Sequence, residues 1–380
     1  MVDVAVVGGG VIGLACAREI ARAGVADVVV LESLPAVGQA ASSRANGGFR
    51  AQFTTAPNIA FSLFSIGELE DLEQRTGLLS LHQPGYLFVT GTEDGERALR
   101  AACQLQRSLG VPTEWLSPDE VRGHAPFLRM DGVRAGTFHG RDGVLDPSGV
   151  VAAQAQEARA AGARILVHTP VTAIERDGTG WLLRHDGGPT RADVVVNAAG
   201  ADAGDVAALA GAVVPVQPVR RHLAHALDPT GGPRTPMVVD LDTGVIARRE
   251  PAGGWIIGYA NPADPPGRDT TIDPVFFEDL AELVPNRFPF LEDLPMDPAQ
   301  CWAGLYPETP DHHAIVGEDP AVPGLFECVG FGGHGVMHAP AAGRAIAELL
   351  ASSRCDTFDL RPLRPSRFAE GDLVVETAVL

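Results

Sequence analysis

The sequence has 380 residues, 45% of them hydrophobic, and a formal net charge of −19 at pH 7. A chain of this length can form two domains with hydrophobic cores. Its negative charge argues against nucleic acid as a partner, because phosphate binding needs clustered cations. No apolar stretch approaches the roughly 20 residues that a membrane-spanning helix requires.

The cysteines and the basic residues restrict the chemistry further. The 5 cysteines are widely spaced and form no Cys-x-x-Cys pair, which favours reduced thiols in the cytoplasm over disulfides or a zinc site. The apolar start, Val2–Ile12, lacks the basic residues of a signal peptide. All 29 residues counted as lysine or arginine are arginines, so a Schiff base with an enzyme lysine is excluded. We therefore expect a cytoplasmic protein without a metal site.

The first elements in chain order predict a dinucleotide-binding unit. A strand at Val4–Val7 leads into a glycine-rich turn, which opens a helix from Gly10 to Ala23. In this G-x-G-x-x-G pattern, Gly8 permits the tight turn, Gly10 lets the backbone approach a pyrophosphate, and Gly13 lets the helix pack on the strand. The amino terminus of the helix then offers unpaired N–H groups to phosphates.

An acidic residue completes this unit. A second strand at Val28–Leu31 ends at Glu32, which is followed by Ser33. An acid at this position accepts hydrogen bonds from the ribose hydroxyls, and it disfavours the 2′-phosphate of NADP. The sequence therefore predicts a Rossmann-like domain that binds FAD or NAD.

Three further segments favour FAD over NAD. Small residues in the loop Ala40–Gly48 would let backbone amides reach a ribityl chain and a flavin ring, although a flexible surface loop is the alternative. A buried strand at Val194–Val196 leads to Ala199-Gly200, and Val171 precedes it at a position suited to contact adenine. The segment Gly330–Met337 precedes a helix from His338 to Ala351. Such a glycine-rich helix start would stabilise the negative charge of a reduced flavin.

The remaining segments predict a second domain. The chain at Gly77–His139 and Val213–Gln300 alternates like antiparallel strands, at Tyr86–Val89, Val238–Val239, Val245–Arg248 and Trp255–Tyr259, with loops at Asp228–Thr235 and Pro262–Asp269. The predicted class is α/β, or α+β overall. A Rossmann-like FAD-binding domain comprises residues 1–76, 140–212 and 301–380, with a helix at Val150–Ala161 and a strand at Arg164–Val167. An antiparallel-sheet substrate domain comprises residues 77–139 and 213–300. The tail from Arg361 is expected to be peripheral.

These motifs resemble the D-amino-acid-oxidase-like family of flavoproteins, particularly its sarcosine oxidase, dimethylglycine and proline dehydrogenase branch. The resemblance spans nearly the whole chain and is carried by Gly8–Gly13 with Glu32, Ala41–Arg50, Ala303–His313 and Gly330–Met337. It implies a substrate domain whose sheet covers the flavin. It also implies hydride transfer from the carbon beside an amine nitrogen to flavin N5, giving an imine that hydrolyses.

The chain departs from sarcosine oxidase at several positions. Gly304 replaces the cysteine that holds the flavin covalently, so FAD is expected to be bound non-covalently. Ile256 replaces the lysine that activates oxygen, Ala260 the nearby histidine and Met337 the lysine that helps hold the substrate carboxylate. The loss of a cation near flavin N5 favours a dehydrogenase over an oxidase, although some family oxidases lack that lysine.

The resemblance also suggests catalytic residues. Arg50 matches a family arginine close to the flavin, and a guanidinium suits a substrate carboxylate; a surface ion pair is the alternative. Tyr306 matches a family tyrosine at the active site, and Tyr259 lies on the predicted covering sheet, although either ring could belong to the core. The predicted cofactor-binding residues are Gly8, Gly10, Val11, Ile12, Gly13, Glu32, Ser33, Ala41, Ser42, Ser43, Asn46, Gly47, Gly48, Val171, Ala199, Gly200, Gly304, Gly332, Gly333, His334, Gly335, Val336 and Met337.

The sequence therefore predicts FAD-dependent oxidation of a small amino acid or secondary amine, of the sarcosine, proline, glycine or N-methyl amino acid type. The electron acceptor would be O2, a quinone or an electron carrier, and a partner subunit is possible. Two alternatives remain open at this stage. One is an FAD-dependent 2-hydroxy acid dehydrogenase, and the other is a flavoprotein subunit of a multi-subunit amine dehydrogenase or oxidase.

Overall fold

A computed structural model describes residues 2–228, 232, 234–250, 253–261 and 263–378. The helices are α1 (Val11–Arg22), α2 (Ala56–Thr76), α3 (Glu93–Ser108), α4 (Pro118–His124), α5 (Pro147–Ala160), α6 (Ala203–Leu209), α7 (Pro274–Arg287), α8 (Gly335–Ser352) and α9 (Arg367–Glu370). The strands are β1 (Val2–Val7), β2 (Val28–Leu31), β3 (Gly48–Phe49), β4 (Tyr86–Thr90), β5 (Glu114–Leu116), β6 (Ala135–His139), β7 (Gly143–Val144), β8 (Arg164–Leu166), β9 (Ala173–Asp177), β10 (Gly180–Arg184), β11 (Thr190–Asn197), β12 (Gln217–Ala226), β13 (Met237–Asp240), β14 (Val245–Arg249), β15 (Trp255–Tyr259), β16 (Trp302–Glu308), β17 (Ile315–Glu318) and β18 (Leu325–Val329).

The first sheet has the order β17-β18-β11-β1-β2-β8, and the hairpin β9–β10 joins it at β11. Its central strands run parallel, with β1 between β11 and β2. They are rich in valine and buried on both faces, as parallel strands covered by helices must be. Helices α1 and α8 pack together on one face, where Gly343 lies directly against the backbone of Ala15.

The second sheet has the order β16-β12-β15-β14-β13-β4-β6-β5. Its neighbouring strands are antiparallel apart from β4 and β13, which run parallel. Helix α7 covers one face, where Phe276 and Leu280 join Trp255 and Ile257 in a buried cluster. The other face contributes to the cavities described below.

Several elements differ from the sequence predictions. Helix α2 was not predicted, and the two segments expected to form strands also contain α3, α4 and α7. Their apolar residues pack against the sheets, so the strand alternation was only part of the pattern. Strand β16 pairs with β12 of the second sheet, although residues 301–380 were assigned to the FAD-binding domain. The domain division itself stays a prediction.

The tail from Arg361 is peripheral only in part: residues 369–375 are exposed, as expected, whereas two charged residues are buried. Arg367 and Glu376 are both 0% exposed, because each is held by buried polar partners of the main body. The predicted loops at Asp228–Thr235 and Pro262–Asp269 lie partly outside the described residues. Within the described ranges, no helix is long and apolar enough to cross a membrane, and no cluster of three histidine, cysteine or acidic residues could hold a metal ion.

Candidate active site

The glycine-rich turn between β1 and α1 has the geometry of a phosphate-binding loop. Gly8 adopts a φ of 110°, which favours glycine, and a side chain at Gly13 would overlap the carbonyl oxygen of Gly8. The N–H of Gly9 donates to Glu32 Oε2 at 2.6 Å, and the N–H of Val11 donates to Ser42 Oγ at 3.1 Å. The start of α1 is thus tied to two of the segments that were predicted to contact the cofactor, at Glu32 and at Ser42.

Two adjoining cavities extend from this turn. The first, of about 550 Å³, is lined by nine of the predicted cofactor-binding residues: Gly8, Gly10, Glu32, Ser33, Ala41, Ser42, Val171, Ala199 and Gly200. The second, of about 140 Å³, is lined by Gly10, Val11, Ile12, Ala41, Ser42, Asn46, Gly47, Gly48, Gly200, Gly304, Gly332, Gly333, His334, Gly335, Val336 and Met337. The two cavities adjoin, because Gly10, Ala41, Ser42 and Gly200 line both, and together they are lined by most of the predicted cofactor-binding residues.

Two predicted cofactor-binding residues lie outside both cavities. Gly13 instead makes the close approach between α1 and the turn. Ser43 is exposed, and its hydroxyl donates to the carbonyl oxygen of Ala40 at 3.2 Å. Ser43 lies in the short 3₁₀ turn Ser42–Arg44, whose other two residues line both cavities while Ser43 lines neither.

The loop that carries Asn46 is held by the second sheet from two directions. Arg248 of β14 donates through Nε to Asn46 Oδ1 and through Nη2 to the Asn46 carbonyl oxygen, both at 2.7 Å. Arg44 donates to the carbonyl oxygen of Ala303 at 2.8 Å, and Trp302 Nε1 donates to the carbonyl oxygen of Arg44 at 2.9 Å. These bonds order a loop of small residues that has little packing of its own.

Arg50 and two tyrosines meet at one end of the smaller cavity. Arg50, Tyr86 and Tyr306 line it together, and Arg50 is 1% exposed. The guanidinium lies 3.9 Å from the centre of the Phe53 ring and donates to the carbonyl oxygens of Gln52 and Ala378. Burial lowers the pKa of Arg50, while the surrounding acidic and phenolic groups oppose that change.

The tyrosines and the histidine at this end are held in their neutral forms. Burial raises the pKa of Tyr86 and of Tyr306, so both phenols stay protonated. Burial, together with the charge of Arg50, holds the pKa of His334 well below its usual value. These groups can therefore donate hydrogen bonds or pack, and Arg50 is a buried cation that lines the cavity with them; the exposed Arg44 lines it as well.

Sequence reasoning missed four residues around this end of the cavity, namely Tyr86, Met237, Ile246 and Arg248. Tyr86, Met237 and Ile246 line the cavity, and Arg248 holds its Asn46 loop. They lie on β4, β13 and β14, whose places in the sheet follow from long-range strand pairing. The only local signal was an arginine in the apolar strand pattern of Val245–Arg249.

Tyr259 lies at an adjoining cavity, which shares Tyr306, Ile246 and Gly304 with the cavity around Arg50. It lines two neighbouring cavities with His222, in one of which Arg221 also takes part, and it does not line the cavity that contains Arg50. The guanidinium of Arg221 lies 5.8 Å from the centre of the Tyr306 ring. His312 bonds to Glu308 at 2.9 Å and His313 to Thr55 at 2.8 Å, so the adjacent histidines engage separate partners.

The positions that depart from sarcosine oxidase can also be located. Gly304 lines the cavity, and a side chain there would contact Cβ of Arg44 at 3.1 Å. Cys301 packs with the cluster around α7, and burial raises the pKa of its thiol. Ile256 is 3% exposed and lies opposite Arg248 in the strand register.

The residues present fit FAD. At Gly10 a Cβ would approach only Ser42 Oγ, and at Gly200 it would meet nothing within 4 Å, so both positions leave open space at the cavity. The chain matches the family described as FAD dependent oxidoreductase, abbreviated DAO, over residues 3–349. The chain belongs to this family. The predictions of the family, of the fold class and of FAD as cofactor are confirmed, and non-covalent binding is typical of such proteins.

The alignments to individual relatives cover nearly the whole chain. It is 30% identical over 427 residues to FAD-dependent oxidoreductase domain-containing protein 1 of Xenopus laevis, an alignment that covers 100% of this chain and 85% of the relative. The crystal structure of L-proline dehydrogenase from P. horikoshii matches with a TM-score of 0.92 and 27% identity, covering 98% of this chain and 99% of that one. Glycine oxidase from Geobacillus kaustophilus matches with a TM-score of 0.85 and 29% identity, covering 96% and 98%.

Proposed function

We propose that the protein oxidises a small amino acid or secondary amine at the carbon beside the nitrogen, giving an imine that hydrolyses. FAD, when bound, accepts the hydride. The observation that carries this proposal is the buried Arg50, which faces the same cavity end as Tyr86 and Tyr306. A buried guanidinium at a cavity wall suits a carboxylate, because it offers several N–H donors in a fixed plane.

The walls beside Arg50 favour a compact substrate with an apolar part. Met237 and Ile246 line the cavity next to the two tyrosine rings. An amine that is flanked by methyl or methylene groups, as in sarcosine, proline or another N-alkyl amino acid, presents such a surface. The names of the two structural relatives, L-proline dehydrogenase and glycine oxidase, are consistent with this substrate class.

We further propose a dehydrogenase rather than an oxidase, with a quinone or an electron carrier as acceptor and a partner subunit as an option. Ile256 brings no cation to its position, and the neighbouring Arg248 is engaged by Asn46 and Glu250. A charge that is already paired stabilises superoxide poorly. Stopped-flow mixing of the reduced protein with aerated buffer should show slow reoxidation, and a rate matching that of reduction by substrate would identify an oxidase. The cytoplasmic location stays a prediction from the cysteine pattern.

The experiment that tests the substrate class is an anaerobic screen for bleaching of the flavin. Sarcosine, proline, glycine and N-methyl amino acids should bleach it, whereas bleaching by 2-hydroxy acids alone would replace the proposal by hydroxy-acid oxidation. Arg50→Met should then raise KM for the carboxylate substrate by at least ~10-fold, since a charged hydrogen bond contributes roughly 1.5–3 kcal/mol. Arg354→Met, at an exposed arginine, is the control. If Arg50→Met raises KM equally for a decarboxylated amine, Arg50 does not bind the substrate carboxylate.

A further inference from the structure

The segment Arg367–Ala378, here called the docked segment, is fixed to the body of the protein by two buried charges. The first is Arg367, which donates through Nε and Nη2 to Asp311 at 2.8 and 2.9 Å. Both side chains of this ion pair are 0% exposed. Arg367 also donates to the carbonyl oxygen of His313 at 3.0 Å. Asp311, within the range Ala303–His313 that carries the family resemblance, therefore holds the docked segment.

The second buried charge is Glu376, which binds at the start of α2. Its carboxylate accepts from the N–H and hydroxyl of Thr54, from Thr55 Oγ1 at 2.8 Å and from Asn58 Nδ2 at 3.1 Å. Thr55 is the N-cap of α2, and its own side chain makes no capping bond to the helix. A carboxylate at a helix amino terminus is stabilised by the helix dipole and by the free N–H groups there.

The docked segment reaches Arg50 two residues further on. Nη2 of Arg50 donates to the carbonyl oxygen of Ala378 at 2.5 Å, while Nη1 donates to the carbonyl oxygen of Gln52. The N–H of Ala378 in turn donates to Glu376 Oε1 at 2.9 Å. The position of the Ala378 carbonyl is thus set by the anchoring of Glu376.

The docked segment supports Arg50 from behind. Arg50 lines the smaller cavity, but among the described residues no member of the docked segment lines it. The segment therefore does not compete with a ligand for the cavity. Of the five N–H groups of an arginine, those turned to Gln52 and Ala378 fix the plane of the guanidinium, and the rest remain for a ligand.

We propose that Glu376 is a positioning residue for carboxylate recognition, acting through the docked segment to fix the guanidinium of Arg50. This inference rests on the proposed function, in which Arg50 binds the substrate carboxylate. The direction of the change in carboxylate affinity distinguishes loss of the position of Arg50 from loss of the charge of Glu376. Removal of a negative charge near Arg50 would by itself strengthen the attraction of a carboxylate, because the local field becomes more positive. Loss of position weakens carboxylate binding instead.

The test uses the full chain with FAD and measures the binding of acetate through its perturbation of the flavin spectrum. Glu376→Ala should raise the Kd of acetate by about 10-fold, as expected when one charged hydrogen bond is misaligned. With substrate, KM should rise while kcat changes much less. Glu370→Ala removes an exposed glutamate from the same segment and should leave both quantities unchanged.

The outcomes distinguish this inference from the proposed function. If acetate does not perturb the wild-type flavin and no carboxylate substrate bleaches it, the proposed function fails. If the wild type binds acetate and Glu376→Ala binds it equally or more tightly, the positioning role is wrong. Should Glu376→Ala not retain FAD, Thr54→Val decides in its place, because it removes the hydroxyl that binds both Glu376 and the N–H of Thr377. A higher Kd of acetate in Thr54→Val supports the positioning role of Glu376, and an unchanged Kd overturns it.

Discussion

Replacement of Glu32 by glutamine should lower the stability of the apoprotein and also its affinity for FAD, and the two losses can be measured separately. Glu32 is 8% exposed and lines the larger cavity. One carboxylate oxygen accepts from the N–H of Gly9 at 2.6 Å, and the other accepts from the N–H of Leu34 at 2.8 Å. A glutamine amide has the same shape, but its NH2 group cannot accept, so one of these N–H donors loses its partner in either orientation.

The magnitude follows from the number of bonds affected. Loss of one hydrogen bond to a charged group costs roughly 1.5–3 kcal/mol, and the stability of the apoprotein should fall by about that amount. If the same side chain also accepts from a ribose hydroxyl of FAD, the Kd of FAD should rise by a further ~10- to 150-fold. The first loss belongs to the folded apoprotein, and the second appears only when FAD binds.

Urea unfolding of the apoprotein measures the first loss, and titration of the apoprotein with FAD, followed by fluorescence quenching, measures the second. Glu175→Gln is the matched control, because Glu175 forms an exposed ion pair with Arg184 on the hairpin β9–β10. An unchanged Kd for FAD would show that Glu32 supports the turn without contacting the cofactor. Unchanged stability of the apoprotein would refute the assigned role of the bond to Gly9.

Three further predictions concern the fold around the site. Gly13→Ala should abolish FAD retention, because the new Cβ would overlap the Gly8 carbonyl. The control Gly67→Ala in α2 has open space and should leave stability unchanged or raise it by up to ~1 kcal/mol. Equal flavin content in the two purified variants would contradict the prediction for Gly13. Arg367→Met should lower the free energy of unfolding by about 3–5 kcal/mol, because it leaves Asp311 buried without its partner. Adding Asp311→Asn to this variant should restore part of the lost stability in urea unfolding. Losses that simply add in the double variant would argue against the ion pair. Burial raises the pKa of Glu327 to about 8 from an ordinary 4.5. The protonated side chain therefore stabilises the fold fully below pH 4.5, and this stabilisation is lost as the pH rises to about 8. Glu327→Gln should make the melting temperature fall less over this pH range, and a pH profile identical to that of the wild type would exclude Glu327 as the cause of the fall.

Much of the lining of the two cavities could be predicted from the sequence, while the contact of these residues with FAD stays a prediction. Gly8, Gly10, Gly13 and Glu32 act through local backbone geometry, since a turn, a helix start and a strand end are each encoded within a few residues. The same holds for the glycines before α8, although that helix begins at Gly335 rather than at His338. Patterns of this kind survive in a single sequence because neighbours in the chain are neighbours in space.

The surroundings of Arg50, the proposed substrate end of the cavity, were decided only by the tertiary structure. The sequence predicted Arg50 but not the residues around it. The pairing of β4 with β13 and β6 brings Tyr86 close to Arg50. Ala378, which Arg50 binds, lies more than 300 residues away in the chain. Tyr259 and Tyr306 were both candidates from the sequence, yet only Tyr306 lines the cavity that contains Arg50, while Tyr259 lines the adjoining cavity that Tyr306 shares. Register is fixed by the packing of whole sheets, and a docked segment by buried charges such as Arg367 and Glu376. Neither leaves a local pattern, because each depends on residues that become neighbours only after the chain has folded.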